Sequence, residues 1–254
     1  MITNTQSGTS VDEVAPSIYR ISTPVKEFPG GFSFNQYLIK DEEPLLFHSG
    51  PRRMFPLVRE AIAAVMPVEQ LRWVGLSHVE ADECGSLNQW LAAAPSAEVA
   101  FGGLGCMVSV NDLADRAPRA LEDGASLDIG GKRLRYLATP HVPHGWEAGV
   151  LYEEVTSTLL CGDLFTQMGD GPAISDDSPM SATTAAEDTF GYSSLAPSTV
   201  PTVQRLAELE PATLALMHGP THAGDCGAWL NELADSYAVR SESIGATAAP
   251  SSAG

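Results

Sequence analysis

The sequence predicts a layered α/β domain, and three observations carry that expectation. Apolar, strand-like segments alternate with segments of helical spacing over most of the chain. The chain has 254 residues, enough to bury a substantial core. Its chemistry-bearing polar residues recur just past the ends of apolar strands, where layered α/β proteins build their sites.

The elements follow in order. Residues 1 to 12 are polar, lack the basic-then-apolar order of a signal peptide, and read as a flexible arm. "SIYRIS", "FNQYLIK" and "PLLFHSG" read as short strands joined by turns. "MFPLVREAIAAVM" has helical apolar spacing, and "LRWVGLS" is a buried strand that ends at His78. "CGSLNQWLAAA" reads as a helix, "EVAF" as a short strand and "LGCMVSVNDLADRA" as a further helical stretch. "SLDIGGKRLRYLAT" is a hairpin with Gly130 and Gly131 at its turn. "GVLYEE" and "STLLCGD" are strands. From Thr166 to about Ser198 the periodicity is lost among Gly, Pro, Ser, Thr and Asp, and a connection that long is usually functional or disordered. A helix ("PTVQRLAELE"), a strand ("TLALMHG") and a last helix ("CGAWLNELADSYAV") complete a single domain over residues 13–240. Residues 241–254 are small, polar and low in complexity, and are expected to be a disordered tail.

Composition excludes several classes of partner. Lys and Arg number 14 against 32 Asp and Glu, a formal charge of −18. Such a chain repels phosphate backbones and anionic membrane surfaces, so neither nucleic acid nor membrane is an expected partner. No apolar run approaches the length of a membrane span. Cys84, Cys106, Cys161 and Cys226 form no CxxC pair, which argues against a thiolate zinc site or a disulfide framework. A cytoplasmic protein with reduced thiols is expected.

The densest chemistry lies in "SHVEADECG". His78, Glu80 and Asp82 alternate, so an extended loop would aim them the same way, while adjacent Asp82 and Glu83 would diverge. His144 lies in "TPHVPHGWE", Asp163 in "LLCGDLF" and His218 in "LMHGP". A lone strand-end histidine is more often a hydrogen-bonded structural residue than a ligand, but the joint order is hard to obtain without a metal. Three imidazoles and three or four carboxylates exceed the needs of one tetrahedral zinc. They fit two cations sharing a bridging carboxylate. The mixture suits iron or manganese, and zinc less well. His141 could compete with His144 for one position, and His222 could reach the second metal or hydrogen-bond a ligand. His48 reads as a packing residue or as a support behind a ligand, and not as a ligand itself.

At these residues the chain resembles the metallo-β-lactamase superfamily, and within it the di-iron branch of flavodiiron and oxygen-binding di-iron proteins. That branch carries HxExDHxG followed by single His, Asp and His ligands; here the stretch is His78-Val-Glu80-Ala-Asp82-Glu83-Cys84-Gly85, followed by His144, Asp163 and His218. The resemblance implies an αββα sandwich with the metals at one edge of its two sheets. It implies a first iron on His78, Glu80 and His144, a second on Asp82 and His218, and Asp163 bridging. Glu83 stands where the family has His; it either ligates the second iron or swings away and opens a position for dioxygen or substrate, a catalytic role in either case. Tyr192 and Phe190, in the segment 168–198, are expected in a lid near the metals.

The implied function is a non-haem di-iron protein that binds or activates O₂, by oxygen sensing, O₂ or NO reduction, or oxidation of a small molecule. Flavodiiron enzymes add a flavodoxin-like domain with FMN. No FMN is expected on this chain, where no phosphate-cradling glycine loop follows a strand, so electrons would come from an external donor. The alternative is a hydrolase with a dinuclear Zn, Mn or Fe site acting on an ester, thioester or lactone, against which Glu80 stands in place of a hydrolase His. The assembly considered is a homodimer.

Overall fold

The computed structural model describes residues 1–248. β1 (Ile2–Asn4), β2 (Thr9–Ala15), β3 (Ile18–Val25), β4 (Phe32–Ile39), β5 (Leu45–Phe47), β6 (Trp73–Gly75), β7 (Glu98–Gly102) and β8 (Arg119–Leu121) form one sheet in sequence order. β3 and β4 pair antiparallel along their full length, from Ile18 opposite Ile39 to Val25 opposite Phe32. β5, β6 and β7 run parallel. The residues of β5 and β6 are all buried, the pattern of a parallel strand covered on both faces.

The second sheet contains β9 (Ser126–Asp128), β10 (Arg133–Ala138), β11 (Gly149–Glu153), β12 (Thr158–Gly162), β13 (Ile174–Ser175), β14 (Thr213–Leu216) and β15 (Thr221–Ala223), in the order β13-β15-β14-β12-β11-β10-β9. Its strands alternate between two cores. Leu151, Leu160 and Ala215 join the core shared with the first sheet and with the helices Phe55–Ala63 and Leu87–Ala93. Val150, Tyr152, Leu159, Cys161, Leu214 and Leu216 face the helices Thr199–Ala207 and Cys226–Ala248 instead. Helices thus cover the outer face of each sheet, and the expected αββα layering is present. No described helix is long and apolar enough to cross a membrane.

Three expectations need correction. Residues 1–12 are no loose arm: β1 pairs with β2, and β2 with β3, where Ser10 opposes Ser22 and Val11 opposes Ile21. Val11 and Val14 enter the core, a contribution masked by their polar neighbours. The featureless segment 166–198 contains a helix, Met180–Phe190. Its buried face is Met180, Thr183, Ala186 and Glu187, helical in spacing but too small and polar to register as apolar periodicity. The last helix continues to Ala248, through the start of the expected tail; residues 249–254 of that expectation lie outside the described residues.

Candidate metal centre

Four strand ends deliver the polar residues. His78 follows β6, His144 sits between β10 and β11, Asp163 follows β12 and His218 follows β14. The two sheets are joined here, because the Gly149 N–H donates to the Ser77 carbonyl at 2.7 Å. Gly162, just before Asp163, adopts φ +56°, and a Cβ there would lie 2.6 Å from Ser77 Oγ. Only glycine suits both the backbone and the close approach.

His78, Glu80, His144 and Asp163 offer ligand atoms that all lie within 4.8 Å of one another. His78 Nε2 is 2.8 Å from Glu80 Oε2 and 3.0 Å from His144 Nε2. Asp163 Oδ2 faces the same group, 3.3 Å from His144 Nε2 and 3.7 Å from His78 Nε2. Its other oxygen, Oδ1, faces a second group: it lies 3.4 Å from His218 Nε2, which is 3.5 Å from Asp82 Oδ2. Asp163 Oδ1 is buried and makes no hydrogen bond. A buried carboxylate oxygen without a hydrogen bond is costly unless something binds it, so the donor set fits a metal pair bridged by Asp163.

Local bonds aim the imidazoles. The Nδ1 of His218 is 2.8 Å from the Ser33 carbonyl, and Phe32 stacks on the ring at 4.2 Å between centroids. The Nδ1 of His78 is 3.1 Å from Glu83 Oε1. Each Nε2 is thereby left to point at the cluster.

Without metal the site is a net of imidazolium–carboxylate pairs. Burial opposes the charge on His78, but Glu83, Glu80 and Asp163 outweigh it and lift the imidazole to about 12. Burial likewise opposes His218 and His144, yet Asp163 with Asp82 raises His218 to about 10, and Asp163 with Glu80 raises His144 to about 9. His144 and His78 lower Glu80 to about 2. Asp163 stays well below the usual carboxylate range despite its burial, because His144 and His218 face it.

Glu83 differs from the expectation of a ligand or catalytic group. It is fully buried and turned away from the cluster. Its Oε1 accepts from Ser77 Oγ at 2.6 Å and its Oε2 from the His78 N–H at 2.8 Å. His48 Nε2 stands 3.4 Å from Oε1, and the other ring nitrogen is 2.9 Å from Met217 Sδ. His48 therefore backs Glu83 from the core, behind His78.

His222 also lies apart. Its ring nitrogens are taken by the Gln167 amide at 2.9 Å and the Asp177 carbonyl at 2.8 Å. His141 is exposed, at φ +66°, and lies outside the cluster. Tyr192 packs edge-on to His144 at 6.3 Å, as a wall residue. Sequence reasoning missed Ser33, Ser77 and the phenylalanines in the β3–β4 turn and at the start of β4. "EFPGGFSF" had a signal for the last: three phenylalanines around a glycine turn, too polar on average to read as core.

The family model of the ODP family beta lactamases matches residues 32–219, well over half of the chain. A flavo-diiron protein, FprA2, from Clostridium acetobutylicum is 27% identical over 155 residues, covering 60% of this chain and 38% of its own length. An anaerobic nitric oxide reductase flavorubredoxin from Pectobacterium atrosepticum is 23% identical over 140 residues, 54% of this chain and 27% of its own. The rubredoxin oxygen:oxidoreductase structure from Desulfovibrio gigas superposes with a TM-score of 0.76 at 18% identity, covering 92% of this chain and 62% of that one, a likeness of fold. The chain spans about a third of the length of the first curated relatives it matches. With the family model matched from β4 past the end of β14, over the stretch that contains His78, Glu80, Asp82, His144, Asp163 and His218, the chain belongs to the ODP family of beta lactamases.

Proposed function

We propose that this chain carries a dinuclear non-haem iron centre and uses it to bind or reduce a small diatomic oxidant, O₂ or NO. One observation supports this reading above the others: the two oxygens of Asp163 face separate donor groups, His78 with His144 on one side and His218 on the other. His78, Glu80 and His144 would hold the first metal, Asp82 and His218 the second, and Asp163 both. Two bound irons would supply electron transfer and open coordination positions.

The chain's own residues set the conditions. Glu80 and Asp82 add carboxylate charge that stabilises oxidised metal. Glu83 is engaged elsewhere, so the second metal would have one protein donor fewer than the first. Phe32 and Phe34 cover His218 and exclude water from that side. The names of the relatives that reduce nitric oxide or exchange electrons with rubredoxin favour reduction by an external donor.

The test is metal analysis of protein expressed with iron, paired with an anaerobic visible spectrum before and after O₂ or NO. Two irons per chain and a spectral change on gas addition are expected. Two zincs and a spectrum indifferent to either gas would sink the proposal.

A further inference from the structure

The donor cluster opens into a cleft of about 620 Å³. A diatomic gas occupies a small fraction of such a space, which is of the size that holds small organic ligands. Its lining is unusual for a chain with so many carboxylates. Phe28, Phe32, Phe34 and Phe190, four of the chain's eight phenylalanines, line it together. They touch in series: Phe28–Phe32 at 5.3 Å, Phe32–Phe34 at 5.5 Å and Phe28–Phe190 at 5.8 Å between centroids. The wall starts on the cluster itself, where Phe32 stacks on His218. Its outer rings stay in water, Phe28 being 41% and Phe190 39% exposed. Aromatic rings left wet at the mouth of a site are surface available to an apolar ligand.

The same cleft contains one cation outside the cluster. Arg53 lines it, is exposed, and makes no hydrogen bond or ion pair among the described residues. Arg53 is the one Lys or Arg among the residues lining this cleft, so its guanidinium is the positive charge that a ligand entering it would meet. A guanidinium presents a planar fork that matches a carboxylate.

We infer that the cleft binds an organic carboxylate with an aromatic body, the ring on the Phe28–Phe32–Phe190 wall and the carboxylate on Arg53. This rests on the reading of the adjoining cluster as the reaction centre, for which the ligand would be substrate or modulator. The strongly negative surface repels anions generally, so affinity depends on the local arginine.

The experiment is calorimetric titration of the protein as purified, its metal content measured on the same sample, with phenylacetate, acetate and 2-phenylethanol. Phenylacetate is expected to bind at least tenfold more tightly than either fragment. Arg53→Gln is expected to weaken phenylacetate about tenfold and leave 2-phenylethanol unchanged; Phe28→Ala is expected to weaken both. Both positions are surface-exposed, so the variants fold. Acetate binding as tightly as phenylacetate would overturn the aromatic wall. Undiminished phenylacetate binding in Arg53→Gln would overturn the arginine. No binding of any probe to metal-replete protein would overturn the inference while leaving the dinuclear reading intact; failure of that reading appears separately, in the metal content.

Discussion

Glu83 Oε1 stands 3.1 Å from Nδ1 of His78, behind the imidazole, while Nε2 of the same ring meets Glu80 in the donor cluster. The carboxylate is fully buried and also receives Ser77 Oγ and the His78 N–H. It holds one ring in place from the far side. Glu83→Ala is therefore expected to weaken the first metal position about 10- to 100-fold. It should also destabilise the metal-free chain by about 3 kcal/mol, since buried partners lose their acceptor. Cobalt titration and urea unfolding check the two effects. Unchanged cobalt affinity would remove Glu83 from any role in positioning His78.

The same residue marks the limit of what the sequence discloses. His78, Glu80, Asp82, His144, Asp163 and His218 were legible because their order at strand ends is hard to explain otherwise, and the structure brings them together. The direction of Glu83 was not legible. Glu80 is extended, but Ala81–Cys84 form a helical turn, in which neighbours diverge by about 100°. Asp82 thus faces the cluster and Glu83 faces inward. Likewise His222 follows His218 at a ligand-like spacing, yet β15 carries it to Gln167 and Asp177. The layers were legible from long apolar strands, whereas β2 and the helix Met180–Phe190 bury few large apolar residues and stayed hidden.

The two faces of Asp163 predict a stoichiometry. Asp163→Ala is expected to lose both metals, and Asp82→Ala to retain about one per chain, because Asp82 serves only the His218 side. Elemental analysis after desalting distinguishes them. Two metals retained in Asp163→Ala would end the bridging assignment.

Metal uptake should tighten as pH rises. In the metal-free site His144, His218 and His78 are raised to about 9, 10 and 12, so at neutral pH they carry protons that a metal must displace. The metal-free chain behaves oppositely. Groups raised on folding stabilise it fully below their unfolded value, near 6.5, and this is lost as pH climbs through about 9 to 12. Glu80, lowered to about 2, contributes above its unfolded value near 4.5, and that contribution disappears as pH falls towards 2. Urea midpoints of metal-free protein should therefore be highest between about pH 4.5 and 6.5, and fall steadily above that. Calorimetry of metal binding in buffers of different ionisation enthalpy should register proton release.

His222→Ala is expected to keep both metals. The ring spans the Gln167 amide and the Asp177 carbonyl, and its loss leaves the buried Gln167 amide without this partner at a cost of about 1–3 kcal/mol. Reduced urea stability with full metal content is the expected pair of results. Loss of one metal would instead return His222 to the ligand set.

Gly162→Ala tests the join between the sheets. At φ +56° an added Cβ costs about 1 kcal/mol of backbone strain, and it would meet Ser77 Oγ at 2.6 Å and Ser77 Cβ at 2.8 Å. The backbone must shift, and it shifts on both sides of the centre at once: Asp163 is the next residue, and Ser77 is the group that donates to Glu83 behind His78. A larger stability loss, about 2–3 kcal/mol, and weaker cobalt binding are expected together. Gly124→Ala is the control, because Gly124 has φ +78° with nothing within 4 Å of an added Cβ. It carries the same strain without the collision, so it should lower stability by the smaller amount and leave cobalt binding unchanged. Equal effects in the two variants would mean that strain alone, and not the contact with Ser77, governs this corner of the site.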